Sequence, residues 1–293
     1  MGSLNMDMSI RTSALPQAGE TLPGDEFLCN SGGKGANQAV AVSLLGGKAV
    51  MLGCVGEDIF GEQLKNSLSG FNVDTSNIAT KPCPSGVAIV ILHNGDNRII
   101  LSPGANYQYG IEDYKGVLSK NASEGDLFVA QLETRLENVL SGLKHAKRLG
   151  MTTLLNPAPA LPLPQEIYSY TDIIVPNMTE ARVLTGCEDV QDCLNKFVTY
   201  GVKNVIITLG DKGCLVCSEG IKQNIAAHKV RTVDTTAAGD TFIGALACRL
   251  EEGDDFFNAC SYANYAAALT VTRRGAQQSM PNALEVELFI KGI

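Results

Sequence analysis

Apolar residues fall in short runs that alternate with helical stretches along most of the chain. The runs Ala49–Val55, Leu127–Gln131, Met151–Asn156, Asp172–Asn177 and Asn204–Gly210 each carry four or more apolar residues and end at or beside Gly, Asn or Gln. Between them, apolar positions recur at helical spacing, as at Leu136, Leu140, Leu143 and Leu149. Strands separated by helices predict βαβ units, and hence an α/β fold: a doubly wound, mainly parallel sheet with helices on both faces. Such sheets bind ligands beyond the carboxyl ends of their strands. Two segments break the pattern. Gly86–Pro103 reads as two strands around His93-Asn94-Gly95-Asp96-Asn97, where Asn-Gly is a hairpin signal. Met8–Asn30 is polar, contains Pro16 and Pro23, and has no helical period. Residues 8–30 and 86–103 are therefore expected to form a small β-flap lid. No linker, repeat or low-complexity tract divides residues 1–293, so a single domain is expected. Beyond Asp240 three helices are predicted, Thr241–Glu252, Asp254–Thr272 and Pro281–Lys291, the last with Pro at a favourable start.

The composition, 45% hydrophobic and 18% charged, is that of a globular chain able to build a large core. A net charge of −8 speaks against a nucleic-acid or anionic-membrane partner, whose phosphates would repel it. No apolar run reaches membrane-spanning length, and the start lacks the basic and apolar blocks of a signal peptide. A cytoplasmic protein with reduced thiols is the expectation. Cys214 and Cys217 form one C-x-x-C, but neither a second pair nor a cluster among His93, His145 and His228 completes a zinc set.

The chemistry concentrates in two segments. In Val233-Asp-Thr-Thr-Ala237-Ala238-Gly239-Asp240-Thr-Phe242, small residues allow a tight turn into a helix whose apolar face is Phe242, Leu246 and Leu250. The free amides of such a helix start attract negative charge and would stabilise a phosphoryl group in transfer. Asp240, in the first turn, is placed to accept a proton from an attacking hydroxyl. It is equally suited to capping the helix. The second segment, Ser31-Gly-Gly33-Lys34-Gly35-Ala36-Asn37-Gln38, is glycine-rich and opens a helix. It matches neither a P-loop nor a dinucleotide fingerprint, and no protein-kinase H-R-D or D-F-G set is present.

Together the two segments resemble the two signatures of the ribokinase-like sugar kinase family. Gly2-Ser3-Leu4-Asn5-Met6-Asp7, Pro16-Gln-Ala-Gly-Glu-Thr21, Asn156-Pro-Ala-Pro159, Pro176-Asn-Met-Thr-Glu180, Thr208-Leu-Gly210 and Thr272-Arg-Arg-Gly-Ala-Gln277 also match the family in order. The resemblance implies ATP-dependent transfer of a phosphoryl group to the 5-hydroxyl of ribose, with Mg2+ and K+. Asp240 would be the base, beside an anion hole at Ala237, Ala238 and Gly239. The sugar would lie against Asn5, Met6, Asp7, Gly33, Lys34, Gly35, Ala36, Asn37 and Glu133. The nucleotide would meet Asn177, Thr208, Leu209, Gly210, Asp211, Lys212, Gly213, Gly239 and Asn264. Glu180 would act on magnesium through water. The monovalent cation would sit among Asp234, Thr236, Thr270, Arg273, Gly275 and Ser279. A homodimer joined through the flap is implied as well. The same residues would serve a kinase for 2-deoxyribose, another sugar or a nucleoside, or a non-catalytic sugar-binding regulator. Family members carry several residues ahead of the first Gly-Ser. Here the first strand is expected to be a stub on which the setting of Asn5 and Asp7 depends.

Overall fold

A parallel strand covered on both faces is apolar at successive positions, and its side chains divide between two cores. In the computed structural model, which describes residues 1–93 and 96–293, this division organises the molecule. Among the described residues the strands are β1 (Asn5–Arg11), β2 (Asp25–Gly32), β3 (Gly53–Gly56), β4 (Ile78–Lys81), β5 (Gly86–His93), β6 (Asp96–Ser102), β7 (Leu127–Ala130), β8 (Thr152–Leu155), β9 (Ile173–Ile174), β10 (Asn204–Thr208), β11 (Cys214–Ser218) and β12 (Ile221–Ile225). The helices are α1 (Lys34–Leu44), α2 (Ile59–Gly70), α3 (Ile111–Asn121), α4 (Leu136–Arg148), α5 (Met178–Thr185), α6 (Val190–Thr199), α7 (Ala238–Glu251), α8 (Phe256–Thr270) and α9 (Ala283–Ile290).

The main sheet has the order β12-β11-β10-β9-β8-β7. Strands β7 to β10 run parallel, and β11 and β12 add antiparallel at one side. Leu155, Ile174, Val205 and Ile207 face a core shared with α3, α4, α5 and α6. Their neighbours Leu154, Ile173, Val175 and Ile206 face a second core filled by Phe242 and Leu246 of α7, Ala263 of α8 and Val286 of α9. Each expected run and helix contains an element, with shifted ends: α7 starts at Ala238, ahead of the expected Thr241, and the run Ala49–Val55 yields only Gly53–Gly56, which pairs with β4 apart from the main sheet. The C-terminal helix begins after Asn282 rather than at Pro281, because Asn282 and Glu285 cap each other's backbone.

The flap is a four-stranded sheet of order β2-β1-β5-β6, in which β1 and β5 run parallel. The Asn94-Gly95 turn expected there lies outside the described residues. β5 and β6 pair in hairpin register from Val87–Ser102 to His93–Asp96. Val87 packs on a third core while Ile89 is exposed, so the alternate apolar row runs from the core out to solvent. The flap begins at Asn5, ahead of the expected residue 8, because β1 is a flap strand from its first residue.

Residues 1–4 lie between the main sheet and the small β3–β4 pair. The Met1 amine donates to Val129 O and the Gly2 N–H to Leu52 O. Beside them is a cavity of about 610 Å³ lined by Met1, Leu52, Phe128, Val129 and Gln131. The setting of Asn5 does not rest on this stub alone. The Asn106 side chain pairs with both Leu4 N–H and Leu4 C=O, and the Ala36 N–H donates to Ser3 O.

α1 and α7 cross closely, and Gly244 permits it. A Cβ on Gly244 would lie 2.4 Å from the Ala41 Cβ and 2.9 Å from the Val42 N. A larger side chain must push the helices apart. Gly244→Val is expected to lower unfolding stability by about 3 kcal/mol, read from the urea midpoint. An unchanged midpoint would show that the crossing tolerates separation.

Candidate active site

Asn5 and Asp7 share one face of β1, and the residue between them does not. The Met6 side chain turns the other way into the third core, 2% exposed, which leaves its main chain as the part that could meet a sugar. Pairing on both sides holds the strand: Asn5 registers with Gly32 and Gly86, and Asp7 with Asn30 and Ala88. A Cβ on Gly32 would sit 2.1 Å from Asp7 Oδ2, so glycine there leaves the carboxylate its place.

The chain then enters α1 through Gly33 at φ 91°, where a Cβ would lie 2.7 Å from the Asn5 N. Only glycine suits both the left-handed backbone and the close approach. Gly35 packs on the backbone of Gly2 and Ser3, and Ala36 is buried in the third core. Gly35 has no side chain and that of Ala36 is buried, so the groups these two residues could offer a sugar are main-chain ones. Lys34 and Asn37 are delivered to the site. Glu133 closes the turn, its Oε2 accepting from Lys34 N–H at 3.1 Å, from Asn5 Nδ2 at 3.3 Å and from Ser3 Oγ. A carboxylate at a helix N-terminus is favoured by the helix dipole.

Asp240 lies in the first turn of α7 and is 8% exposed. Its side chain caps nothing. Oδ2 accepts from Asn37 Nδ2 and Oδ1 from Gln38 Nε2, each at 3.0 Å. The capping alternative is thereby removed. The helix starts instead from Ala237, in the left-handed region at φ 61°. The first-turn amides of a helix have no partners within it, and a Cβ on Gly239 would meet nothing within 4 Å. The Ala238 N–H donates to Thr235 O, which leaves the Gly239 and Asp240 amides of this turn for a ligand anion.

Charge is tightly managed. Burial raises the Asp240 carboxyl above the ordinary range, while Lys34 and the two amide donors pull it back. Burial works against the charge on Lys34, but Asp240, Glu133, Glu180 and Asp7 together raise its pKa. Asp7 is pushed up to about 7, first by burial and then by Glu133 and Asp240, with Lys34 opposing. Residues far apart in sequence thus share one electrostatic site.

The other expected residues group as follows. Asn177 and Glu180 form a reciprocal capping box at the start of α5, Asn177 N–H donating to Glu180 Oε2 and Glu180 N–H to Asn177 Oδ1. Asn177 also bridges to Thr208, which leads into the Gly210–Lys212 turn. Gly213 closes that turn at φ 90°, with Leu209 N–H donating to Gly213 O. Asp211 and Lys212 are exposed, and Asn264 is buried on α8, its Nδ2 donating to Ile225 O.

On the other flank of α7, Asp234 accepts from Thr236 N–H, Thr236 Oγ1 and Gly275 N–H, tying two loops together. Thr270 Oγ1 bonds Thr241 of α7, and Ser279 Oγ donates to Ala276 O. The Arg273 side chain is paired with Glu285, so only its main chain is available to the expected cation site.

Asn106 was not foreseen. Besides clamping Leu4, its Nδ2 donates to Asn5 Oδ1 at 2.8 Å. It stands in an irregular single turn with no motif around it, and no sequence signal marks it. Gln38 stood inside a recognised segment, but sequence alone gave it no task.

The chain matches the description "pfkB family carbohydrate kinase" over residues 1–283. It is 41% identical to a ribokinase of Schizosaccharomyces pombe over 98% of this chain and 95% of that one. It is 36% identical to a deoxyribokinase of Salmonella typhi over 96% and 94%. The structure of Arabidopsis thaliana ribokinase complexed with ribose and ATP superposes with a TM-score of 0.90 at 32% identity, over 99% and 97%.

The raised Asp7 value has a measurable sign. Its folded pKa, about 7, lies above the ordinary 3.8, so the fold favours the protonated carboxyl. Ionising it costs stability: nothing below the unfolded value, progressively more above it, and the full amount beyond about pH 7. Asp7→Asn should therefore raise the melting temperature of the unliganded protein by several degrees at pH 8 and by less at pH 5. An equal gain at both pH values would refute this account of the site.

Proposed function

Because the chain belongs to the pfkB family of carbohydrate kinases, we propose that its site transfers the γ-phosphoryl group of ATP to the 5-hydroxyl of ribose. One observation carries the reading: a buried carboxylate, Asp240, at an open helix start and in one electrostatic site with Lys34, Asp7 and Glu133. A polyol needs paired acceptors and donors. Asp7 and Asn5 offer them on the flap strand β1, with Glu133 beside them and Lys34 and Asn37 beneath. The hydroxyl proton passes to Asp240 as its oxygen attacks phosphorus. The first-turn amides of α7 and the Lys34 ammonium receive the charge spread over the phosphoryl oxygens.

The nucleotide would lie along Asn177, the Thr208–Gly213 turn and Asn264. Magnesium fits this donor set. It keeps most of its waters and needs few carboxylates, and Glu180 commits one oxygen to Asn177 while the other is free for such a water. A monovalent cation would sit between the loops that Asp234 ties to Gly275, where its field strengthens the anion site on α7. Thr236, Thr270, Arg273, Gly275 and Ser279 would contribute backbone carbonyls.

The flap exposes Phe27, Leu28, Ile99 and Ile100, each more than half accessible. A sheet edge with such a face is well covered by the flap of a second copy.

Asp240→Asn should leave the fold intact and cost roughly 10²–10⁴ in turnover. A loss below about tenfold would remove Asp240 from the role of base. A panel of ribose, 2-deoxyribose, other sugars and nucleosides, scored by ADP release, separates the acceptors; a preference for 2-deoxyribose would replace ribose. Rates should rise when potassium replaces choline, and equal rates in potassium, sodium and choline would dismiss the cation site. Light scattering at micromolar concentration should give the mass of a dimer; a monomeric mass would leave the flap face unpaired.

A further inference from the structure

Behind the site lies a network built mainly of buried carboxamides, and it ends on the Asp240 carboxylate. Gln38 is 3% exposed and uses both amide protons: Nε2 donates to Asp240 Oδ1 at 3.0 Å and to Asn156 Oδ1 at 3.1 Å. Its own Oε1 accepts from Gln131 Nε2 at 2.6 Å. The polarity of this chain is set by a backbone group that cannot change role. Val175 C=O accepts from Asn156 Nδ2 at 2.9 Å, so Asn156 must present its oxygen to Gln38, and Gln38 must present protons. Rotating the Gln38 amide by half a turn would set its oxygen against both Asp240 and Asn156.

The second carboxylate oxygen is treated in the same way. Ser67 Oγ donates to Gln277 Oε1, Gln277 Nε2 to Asn37 Oδ1, and Asn37 Nδ2 to Asp240 Oδ2 at 3.0 Å. Each oxygen of Asp240 thus takes one amide proton and keeps a lone pair for substrate.

We infer that Gln38 is a positioning residue for Asp240: it fixes which lone pair faces the sugar hydroxyl, and Gln131 and Asn156 fix Gln38. The inference rests on Asp240 being the base. Fixed amide donors favour the ionised carboxylate against its burial. The charged groups that face Asp240 are Lys34 of α1, Glu133, Glu180 of α5 and Asp7 of β1. Of these, Asp7 titrates in the free enzyme and registers in kcat/KM, so Asp240 is read in kcat with substrates saturating.

Gln38→Met keeps the volume and removes both donors. At saturating ribose and ATP, kcat should fall by about tenfold or more. The acid limb of kcat should move up by about one pH unit, the effect of losing one hydrogen bond to a charged group. Ribose affinity by calorimetry should stay within about threefold, because Gln38 touches no sugar position. In an Asp240→Asn background the same change should cost almost nothing further, since residues acting as one unit are not additive.

An unmoved acid limb in Gln38→Met, or its full loss repeated on top of Asp240→Asn, overturns the inference and assigns Gln38 to packing. If Gln38→Met does not fold, Gln131→Met, one bond further from the base, should move the limb the same way by less; no movement there overturns it too. Failure of the underlying reading looks different: Asp240→Asn itself would keep its turnover and its acid limb.

Discussion

The rest of the structure depends on how closely α1 and α7 approach. Their N-termini carry the two halves of the chemistry, and neither half works from a distance. Because residue 244 has no side chain, the backbone of α7 reaches the methyl of Ala41, and the first turns of both helices are held in register. Asn37 and Gln38 on one helix then meet Asp240 on the other at hydrogen-bond length. A buried carboxylate is costly without such partners. Here the partners are neutral amides, which satisfy it without neutralising it.

Lys34 is the positive centre of the arrangement, set among Asp240, Glu133, Glu180 and Asp7. One ammonium cannot balance four carboxylates, and Asp7, already raised by burial, is pushed up to about 7 with the help of Glu133 and Asp240. The imbalance suits a pocket that receives a neutral, proton-donating polyol on one side. The start of α7, on the far side of Asp240, offers amides rather than carboxylates. The whole chain is acidic, at −8, so the field that attracts an anion is local.

Much of this was legible in the sequence because the relevant signals are short-range. Apolar runs broken by helical spacing gave the main sheet, since a strand buried on both faces admits little else. The turns at Gly33 and at Ala237–Gly239 were legible because few residues tolerate such backbones. The flank of α7 left less trace: Asp234 ties two loops together, while the Thr270 and Ser279 hydroxyls donate to backbone carbonyls, and loop contacts made through the main chain leave little mark in a sequence. What escaped were contacts of long sequence separation between uncharged groups. Asn106 meets Asn5 across 101 residues, and Gln277 meets Asn37 across 240. An isolated buried amide leaves no period and no charge pattern, so only the folded chain reveals what it holds. Between Asn5 and Asp7 the strand alternates, so the Met6 side chain faces the core.

The root of the flap is also the wall of the pocket. β1 carries Asn5 and Asp7 and is bonded along both edges, to β2 and β5, while Asn106 pins its first residue to the body. Floor and cover are therefore one continuous ribbon. Bending at the root would break ladder pairs on two sides at once, so the compliant part lies outward, past Asp7, where only the sheet's own strands must flex. A sheet rooted this way keeps its innermost polar groups at a constant distance from Asp240 when its outer strands flex. The spacing of Asn5 and Asp7 from Asp240 is then insulated from any flexing of the outer sheet.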